Sequence, residues 1–232
     1  MNIGLIITAA GASKRFGCKK KEYLTLPDNT NTVLSQSTET FLKTNLFSSL
    51  VITIPVDDES NALKALNASP FVKAFLFDGE PQISFAFATG GKTRQESVFN
   101  GLKKLTDISK IQPDIVLIHD GARPWVTENI IRDVIKKTVV YGAAVPAIPA
   151  VDTQKVVDDT GKIIHHLKRK YVFAVQTPQA FEFNRLLQAH SKACNDKTEY
   201  TDDTEIWAAY CGDVYISEGN ILNKKITFQS DL

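Results

Sequence analysis

The chain has 232 residues, 43% hydrophobic and 23% charged, the make-up of an ordinary globular protein with room for a substantial core. Lys and Arg number 27 against 26 for Asp and Glu, so no global charge points to nucleic acid or an anionic membrane. Cys18, Cys194 and Cys211 form no CxxC pair and no even framework. This suits reduced thiols in the cytoplasm, and the N-terminal apolar run lacks the length of a membrane span and the basic lead of a signal peptide.

In chain order, "IGLIITAA" (3–10) reads as a buried strand, and "TVLSQSTETFLK" (32–43) as an amphipathic helix. "SLVITIPV" (49–56) is a second strand and "ESNALKALN" (59–67) a second helix. After "DGEPQISFAFATGG" comes the helix "TRQESVFNGLKKL" (93–105), which opens on Thr93 as cap. "DIVLIHD" (114–120) and "GAAVPAIPA" (142–150) are further strands, separated by the helix "TENIIRDVIKKTVV" (127–140). The alternation predicts an α/β fold: a mostly parallel, Rossmann-like sheet covered on both faces, in a single domain spanning 1–232.

The alternation breaks at 151–170, where two β-prone segments flank "DDTG", a hairpin signal. Its polar faces suit a protruding arm and an oligomer contact. After it, "FEFNRLLQAHSKAC" and "TDDTEIWAAYCG" predict helices, and "VYISEG" and "KKITF" predict closing strands. In the second helix the expected cap is Thr201, with Asp202 and Asp203 in the first turn. His165 and His166 alternate across a strand and cannot share one metal ion.

The first strand runs into "AAGASKRFGCKKKEYL", which holds Lys14, Arg15, Lys19, Lys20 and Lys21. Small residues let backbone approach a ligand, backbone N–H groups make an anion-binding concavity, and the cations add charge-assisted bonds. In an open α/β sheet this loop lies at the carboxyl end of a strand, where ligands bind. The glycine spacing fits neither G-x-G-x-x-G nor a P-loop, which disfavours a dehydrogenase or a P-loop NTPase.

The loop A-A-G-x-x-x-R-x-G…K-K-E-Y-L resembles the signature of nucleotidyltransferases that join a polyol phosphate to a nucleoside triphosphate. "GGKTRQESVFNGL", "IHDGARP", "AVDTQK", "QTPQAF", "TDDTE" and "EGN…NKKIT" follow in order along the rest of the chain. Taken together they resemble the 2-C-methyl-D-erythritol 4-phosphate cytidylyltransferases of non-mevalonate isoprenoid synthesis. The resemblance implies transfer of CMP from CTP to that polyol phosphate with release of diphosphate, and Mg²⁺ carried mainly on the CTP phosphates.

The resemblance also implies roles. Arg15 and Lys21 would stabilise the transition state. Ala9, Ala10, Gly11, Gly91, Lys92, Ser97 and Asp120 would bind CTP. Arg123, Thr153, Arg169, Thr177, Thr201 and Lys225 would grip the polyol phosphate. A homodimer through the 151–170 arm would carry Arg169 to the neighbouring subunit's site, with no nucleic acid or membrane partner. Lys14, Lys19 and Lys20 fall outside the matching positions and are expected to be solvated, and His119 to be a packed polar residue. Arg94 is open between a ligand contact and an acid on the next turn, and Asp120 with Arg123 between substrate contacts and a buried ion pair. The sequence departs from the family at Lys20 and Glu22, where Pro and Gln are common, and at Leu222, a position often polar. A cytidylyltransferase for another polyol phosphate, such as ribitol 5-phosphate, and a non-catalytic nucleotide-sensing domain are the competing readings.

Overall fold

The computed structural model describes residues 1–17, 20–27, 30–80, 82–196, 198 and 200–232, with Lys14 described by its backbone alone. In chain order the elements are β1 (Ile3–Thr8), α1 (Val33–Lys43), β2 (Ser49–Ile54), α2 (Glu59–Leu66), α3 (Pro70–Leu76), β3 (Ser84–Thr89) and α4 (Arg94–Ile108). Then come β4 (Ile115–Asp120), α5 (Glu128–Tyr141), β5 (Ala143–Pro149), β6 (Lys155–Val157), β7 (Ile163–His166), β8 (Phe173–Val175), β9 (Gln179–Glu182), α6 (Phe183–Ala193), α7 (Asp203–Tyr210) and β10 (Tyr215–Glu218).

The sheet runs β10-β5-β9-β4-β1-β2-β3, with β8 added to β5. β1, β2, β3 and β4 pair in parallel, as do β5 and β10, whereas β9 runs against both β4 and β5 and β8 runs against β5. Mostly parallel strands need cover on both faces, and the pleat supplies it. Leu5 and Ile7 join a core with Leu34, Phe41, Leu50, Ile52, Ile131 and Val134 on the α1 and α5 side. Ile6 points the other way, into Val51, Val98, Leu102, Val116, Phe181 and Trp207 beneath α4, α6 and α7. Among the described residues no helix is long and apolar enough to cross a membrane.

Helix starts follow their caps. Thr32 closes a capping box with Ser35, Thr93 accepts from the Glu96 N–H at 3.1 Å, and Thr127 caps α5. α3 was not expected, although Ser69 as cap and Pro70 at its first position are the usual start signal. β3 is a strand that was not expected; Ser84–Thr89 pairs with β2 along its whole length. "KKITF" is not a strand: Lys224–Phe228 is irregular, bonded through the Ile226 N–H to the Ala122 carbonyl at 2.9 Å. Ile226 is buried with Phe16, Leu26 and Val33. The hairpin is present as β6 paired with β7, and nearly every residue of 151–171 is exposed.

Candidate active site

Register fixes where the site lies. Thr8 pairs with Asp120 and Thr53, and Ile54 with Thr89, so β1, β4, β2 and β3 all end at one level. β1 is central, with β4 on one side and β2 on the other, and the loops leaving their carboxyl ends diverge around a crevice. That crevice is a cleft of about 380 Å³ lined by the 9–17 loop, Lys21 and Glu22, the 91–97 turn, Asp120 and the 225–227 segment.

The 9–17 loop offers donors. The N–H groups of Gly11, Ala12 and Ser13 meet no acceptor among the described residues, and all three residues line the cleft. Gly90 packs against Ala10 so closely that a Cβ on Gly90 would collide with the Ala10 methyl. The two loops therefore need a glycine at their contact. Ser97 accepts from the Gly91 N–H at 2.9 Å and donates to the Thr93 carbonyl at 2.9 Å, while Glu96 accepts from the Lys92 N–H at 2.7 Å.

Cations dominate the cleft, with Arg15, Lys21, Lys92, Arg94 and Lys225 facing Glu22 and Asp120. Lys21 is 8% exposed, and its ammonium makes no hydrogen bond or ion pair among the described residues. Burial lowers its pKa; Glu22 opposes that shift, and the charges of Lys225 and Arg15 reinforce it. The Lys21 stem is packed while its ammonium opens to the cleft, so an anion there would meet a partly desolvated cation. Arg15 is exposed at the cleft's edge.

Asp120 is the hub. Lys225 Nζ lies 2.7 Å from its Oδ2, Arg123 Nε 3.7 Å from the same oxygen, and Arg94 Nε 3.9 Å from Oδ1. Burial alone would raise its pKa, but Lys225, Arg94 and Arg123 together hold it far below the carboxylate range. The ion pair with Arg123 therefore exists, while Arg123 Nη1 donates to the Asn223 carbonyl at 2.7 Å.

Behind Asp120, the Thr177 hydroxyl accepts from the Asp120 N–H at 3.0 Å and meets His119 Nδ1 at 3.0 Å. His119 Nε2 lies 3.1 Å from the Arg123 carbonyl. A carbonyl only accepts, so Nε2 carries the proton and Nδ1 accepts from Thr177. Burial pushes the His119 pKa down to about 4, so the imidazole is a neutral, fully buried spacer. Thr177, expected to touch the polyol phosphate, uses its hydroxyl here to hold the Asp120 N–H and His119.

Arg94 pairs across the fold rather than along its helix, donating to Asp203 Oδ2 at 2.7 Å. Burial works against its charge, but Asp203 and Asp120 hold its pKa above the ordinary arginine value. Asp203 also meets His190 Nε2 at 3.1 Å. α7 is capped by Asp202, which accepts from Thr204 and Glu205, and not by Thr201. Thr201 is exposed, its N–H donating to Glu205.

Of the residues implied by the resemblance, Ala10, Gly11, Arg15, Lys21, Gly91, Lys92, Ser97, Asp120 and Lys225 line one cleft. Ala9 is buried just behind it, its N–H on the Thr53 carbonyl, and Arg123 stands against Asp120. Thr153, Arg169 and Thr201 are exposed and outside the lining; Arg169 Nη1 donates to the Val151 carbonyl at 3.1 Å. Lys20, expected to be solvated, donates to the Gly11 carbonyl at 2.7 Å. Cys18 and Lys19 lie outside the described residues, as does the Lys14 side chain. Sequence reasoning missed Asn223, whose side-chain N–H₂ donates to the Thr177 carbonyl at 3.0 Å; its signal was its place two residues before Lys225 in "NKK".

A mostly parallel sheet, a glycine-bearing loop after its first strand and a cationic cleft at the switch point suit a nucleotidyltransferase. The model of the IspD family, 2-C-methyl-D-erythritol 4-phosphate cytidylyltransferase, matches residues 3–232, and the chain belongs to that family. It is 39% identical over 229 residues to the 2-C-methyl-D-erythritol 4-phosphate cytidylyltransferase of Clostridium kluyveri (strain NBRC 12016), covering 98% of this chain and 92% of the relative. It is 36% identical over 228 residues to the enzyme of that name from Clostridium novyi (strain NT), with the same coverage of each. The crystal structure of 4-diphosphocytidyl-2C-methyl-D-erythritol synthase from Anaerococcus prevotii DSM 20548 superposes with a TM-score of 0.78 at 28% identity. The match covers 99% of this chain and 94% of that one.

Proposed function

We propose that this chain transfers CMP from CTP to 2-C-methyl-D-erythritol 4-phosphate, in a homodimer whose arms complete the partner's site. The carrying observation is Lys21, 8% exposed and, among the described residues, without a hydrogen bond or ion pair at its ammonium, facing the same cleft as Arg15, Lys225 and the N–H groups of Gly11, Ala12 and Ser13, which meet no acceptor among those residues. In the reaction a phosphate oxygen of the polyol forms a bond to the α-phosphorus of CTP. The bond from that phosphorus to the bridging oxygen breaks, and diphosphate leaves with the electron pair. A phosphate oxygen is already nucleophilic, so the protein's work is to gather two anions and offset extra negative charge at phosphorus.

Lys21 and Arg15 face that charge, the 9–13 backbone cradles the triphosphate, and the 90–97 turn receives the base. Asp120 bridges Lys225 and Arg123 and holds them in place, and its carboxylate suits a ribose or polyol hydroxyl. Glu22 and Asp120 are the carboxylates lining the cleft, and among the described residues no group of three or more His, Cys, Asp or Glu could hold an ion. Mg²⁺ fits here as an ion held mainly by phosphate oxygens, neutralising the diphosphate leaving group.

Thr153 and Arg169 stand on an arm that exposes Val151 at 75% and Tyr171 at 70%, together with Val157, Ile163 and Ile164. A second copy of the chain is the economical cover for such an arm, and two-fold symmetry would bring Arg169 to the partner's cleft. Steady-state diphosphate release with CTP, UTP, ATP and GTP, each against methylerythritol phosphate and ribitol 5-phosphate, tests the reading. Preference for CTP with methylerythritol phosphate supports it. Equal use of ribitol 5-phosphate favours the rival polyol, and CTP binding without turnover favours a sensing domain.

A further inference from the structure

Lys20 and Glu22 flank Lys21, yet their side chains turn to the loop rather than to one another alone. Lys20 Nζ lies 2.7 Å from the Gly11 carbonyl oxygen and 3.4 Å from Glu22 Oε2, and 5.8 Å from the centre of the Tyr23 ring. Glu22, 4% exposed, also meets the Ser13 hydroxyl at 3.4 Å. Tyr23 is fixed in turn by its hydroxyl on Asp58 Oδ2 at 2.7 Å. The pair thus holds two points of the 9–17 loop to the turn that carries Lys21.

The loop needs holding. Ser13 sits at φ +51°, in the left-handed region that a residue with a Cβ adopts only at a cost. The Gly11–Ala12 peptide is trans, so its C=O and N–H point in opposite directions. Lys20 is not among the cleft's lining residues. A Gly11 carbonyl drawn to Lys20 therefore faces out of the cleft, and the Ala12 N–H faces in. Released, that peptide could flip and present a carbonyl oxygen to the phosphates.

We propose that Lys20 is a positioning residue that clamps the nucleotide loop by holding the Gly11 carbonyl out of the cleft, with Glu22 as its counter-ion and as the anchor of Ser13. The inference rests on the cytidylyltransferase reading for what the loop binds, but not for how the loop is held. Lys20 acts through the backbone, and Lys21 on the phosphates.

The test combines tryptic cleavage after Lys14 and Arg15 in the nucleotide-free protein with calorimetric CTP affinity and steady-state kinetics. Lys20→Met keeps the aliphatic stem and removes the donor. It is expected to speed loop cleavage severalfold and to weaken CTP binding about tenfold or more, the scale of one lost charge-assisted hydrogen bond. kcat at saturation should stay within about twofold, because the reacting groups are untouched. Lys20→Arg should restore both loop protection and affinity, and Glu22→Gln, which keeps an acceptor for Ser13, should show a smaller shift in the same direction. Unchanged cleavage, unchanged CTP affinity, or a fall in kcat with affinity intact would each overturn the proposal. If Lys20→Met does not fold, the Glu22→Gln and Lys20→Arg measurements decide alone: loop cleavage and affinity that ignore the lost counter-charge overturn it. A wild-type protein inactive with CTP would sink the enzymatic reading, while the cleavage rates would still decide the clamp.

Discussion

Lys225 Nζ and Asp120 Oδ2 meet at 2.7 Å, joining the end of a central strand to the irregular segment that closes the chain. The contact makes that segment part of the site. It also leaves Asp120 shared among three cations, which changes what removing it should do. Asp120→Ala would leave Lys225, Arg94 and Arg123 facing each other without their common anion. We expect a stability loss of about 3 kcal/mol from urea titration, the usual cost of orphaning one side of a buried pair, together with loss of turnover. Lys225→Ala, which leaves Asp120 two partners, should cost clearly less stability. Equal losses would mean that the three cations do not depend on Asp120.

Lys21 should behave in the opposite way. Lys21→Met removes a partly desolvated charge that has no ion-pair partner among the described residues, so thermal stability is expected to hold or rise slightly. kcat is expected to fall by roughly a hundredfold or more, about 3 kcal/mol of transition-state stabilisation. Parallel melting curves and saturation kinetics check this. A destabilised variant with normal kcat would mean that Lys21 is a structural residue.

Two glycines separate fold from ligand. A Cβ on Gly11 meets nothing within 4 Å, whereas one on Gly90 would collide with Ala10. Gly11→Ala should therefore leave the melting temperature unchanged yet raise the KM for CTP, because the methyl occupies space the phosphates need. Gly90→Ala should lower both stability and CTP affinity. If Gly11→Ala kinetics match the wild type, the loop backbone does not approach the nucleotide closely.

His119 should titrate well below an ordinary histidine. His119, packed against Thr177 and flanked by the charges of Asp120, Arg123 and Lys225, has its pKa pushed down to about 4 by burial. The unfolded chain binds this proton near pH 6.5 and the native one only near pH 4. Its contribution is therefore fully present above pH 6.5 and is lost as pH falls toward 4, by at most about 1.4 kcal/mol per pH unit. Imidazole NMR should show His119 neutral at pH 5; a midpoint for His119 near 6.5 would contradict the packing described.

The arm yields a test of the shared site. When Lys21→Ala and Arg169→Ala chains are mixed and allowed to pair, a site built in trans keeps both residues in one half of each heterodimer, and activity returns. With Arg169 acting in cis, every site carries a lesion. No rescue, with heterodimers verified, rules the shared site out.

The sheet was legible where burial on both faces leaves continuous apolar runs: β1, β2 and β4 follow "IGLIIT", "SLVITI" and "IVLIHD". β9 was not, because Gln179–Glu182 is four residues wedged antiparallel between β4 and β5, too short for its own period. β3 escaped because Phe85 and Phe87 alternate with small residues on a half-buried edge after a turn. "KKITF" has a strand's composition, but Ile226 is drawn into the cluster beneath the nucleotide loop, and Lys225 into the cleft. At the site, motif order located the cleft but not how its charges divide. That Lys20 holds backbone while Lys21 meets no partner among the described residues depends on which way neighbouring side chains turn in a 3₁₀ turn, which adjacency in sequence does not encode.

The most direct measurement is the product itself. CTP and methylerythritol phosphate incubated with the enzyme and Mg²⁺ can be followed by phosphorus NMR and mass spectrometry. The account predicts one diphosphate released for each cytidine diphosphate ester of methylerythritol formed, with both signals lost in Lys21→Ala. Diphosphate or CMP appearing without that ester, or an ester formed equally well from ribitol 5-phosphate, would contradict it.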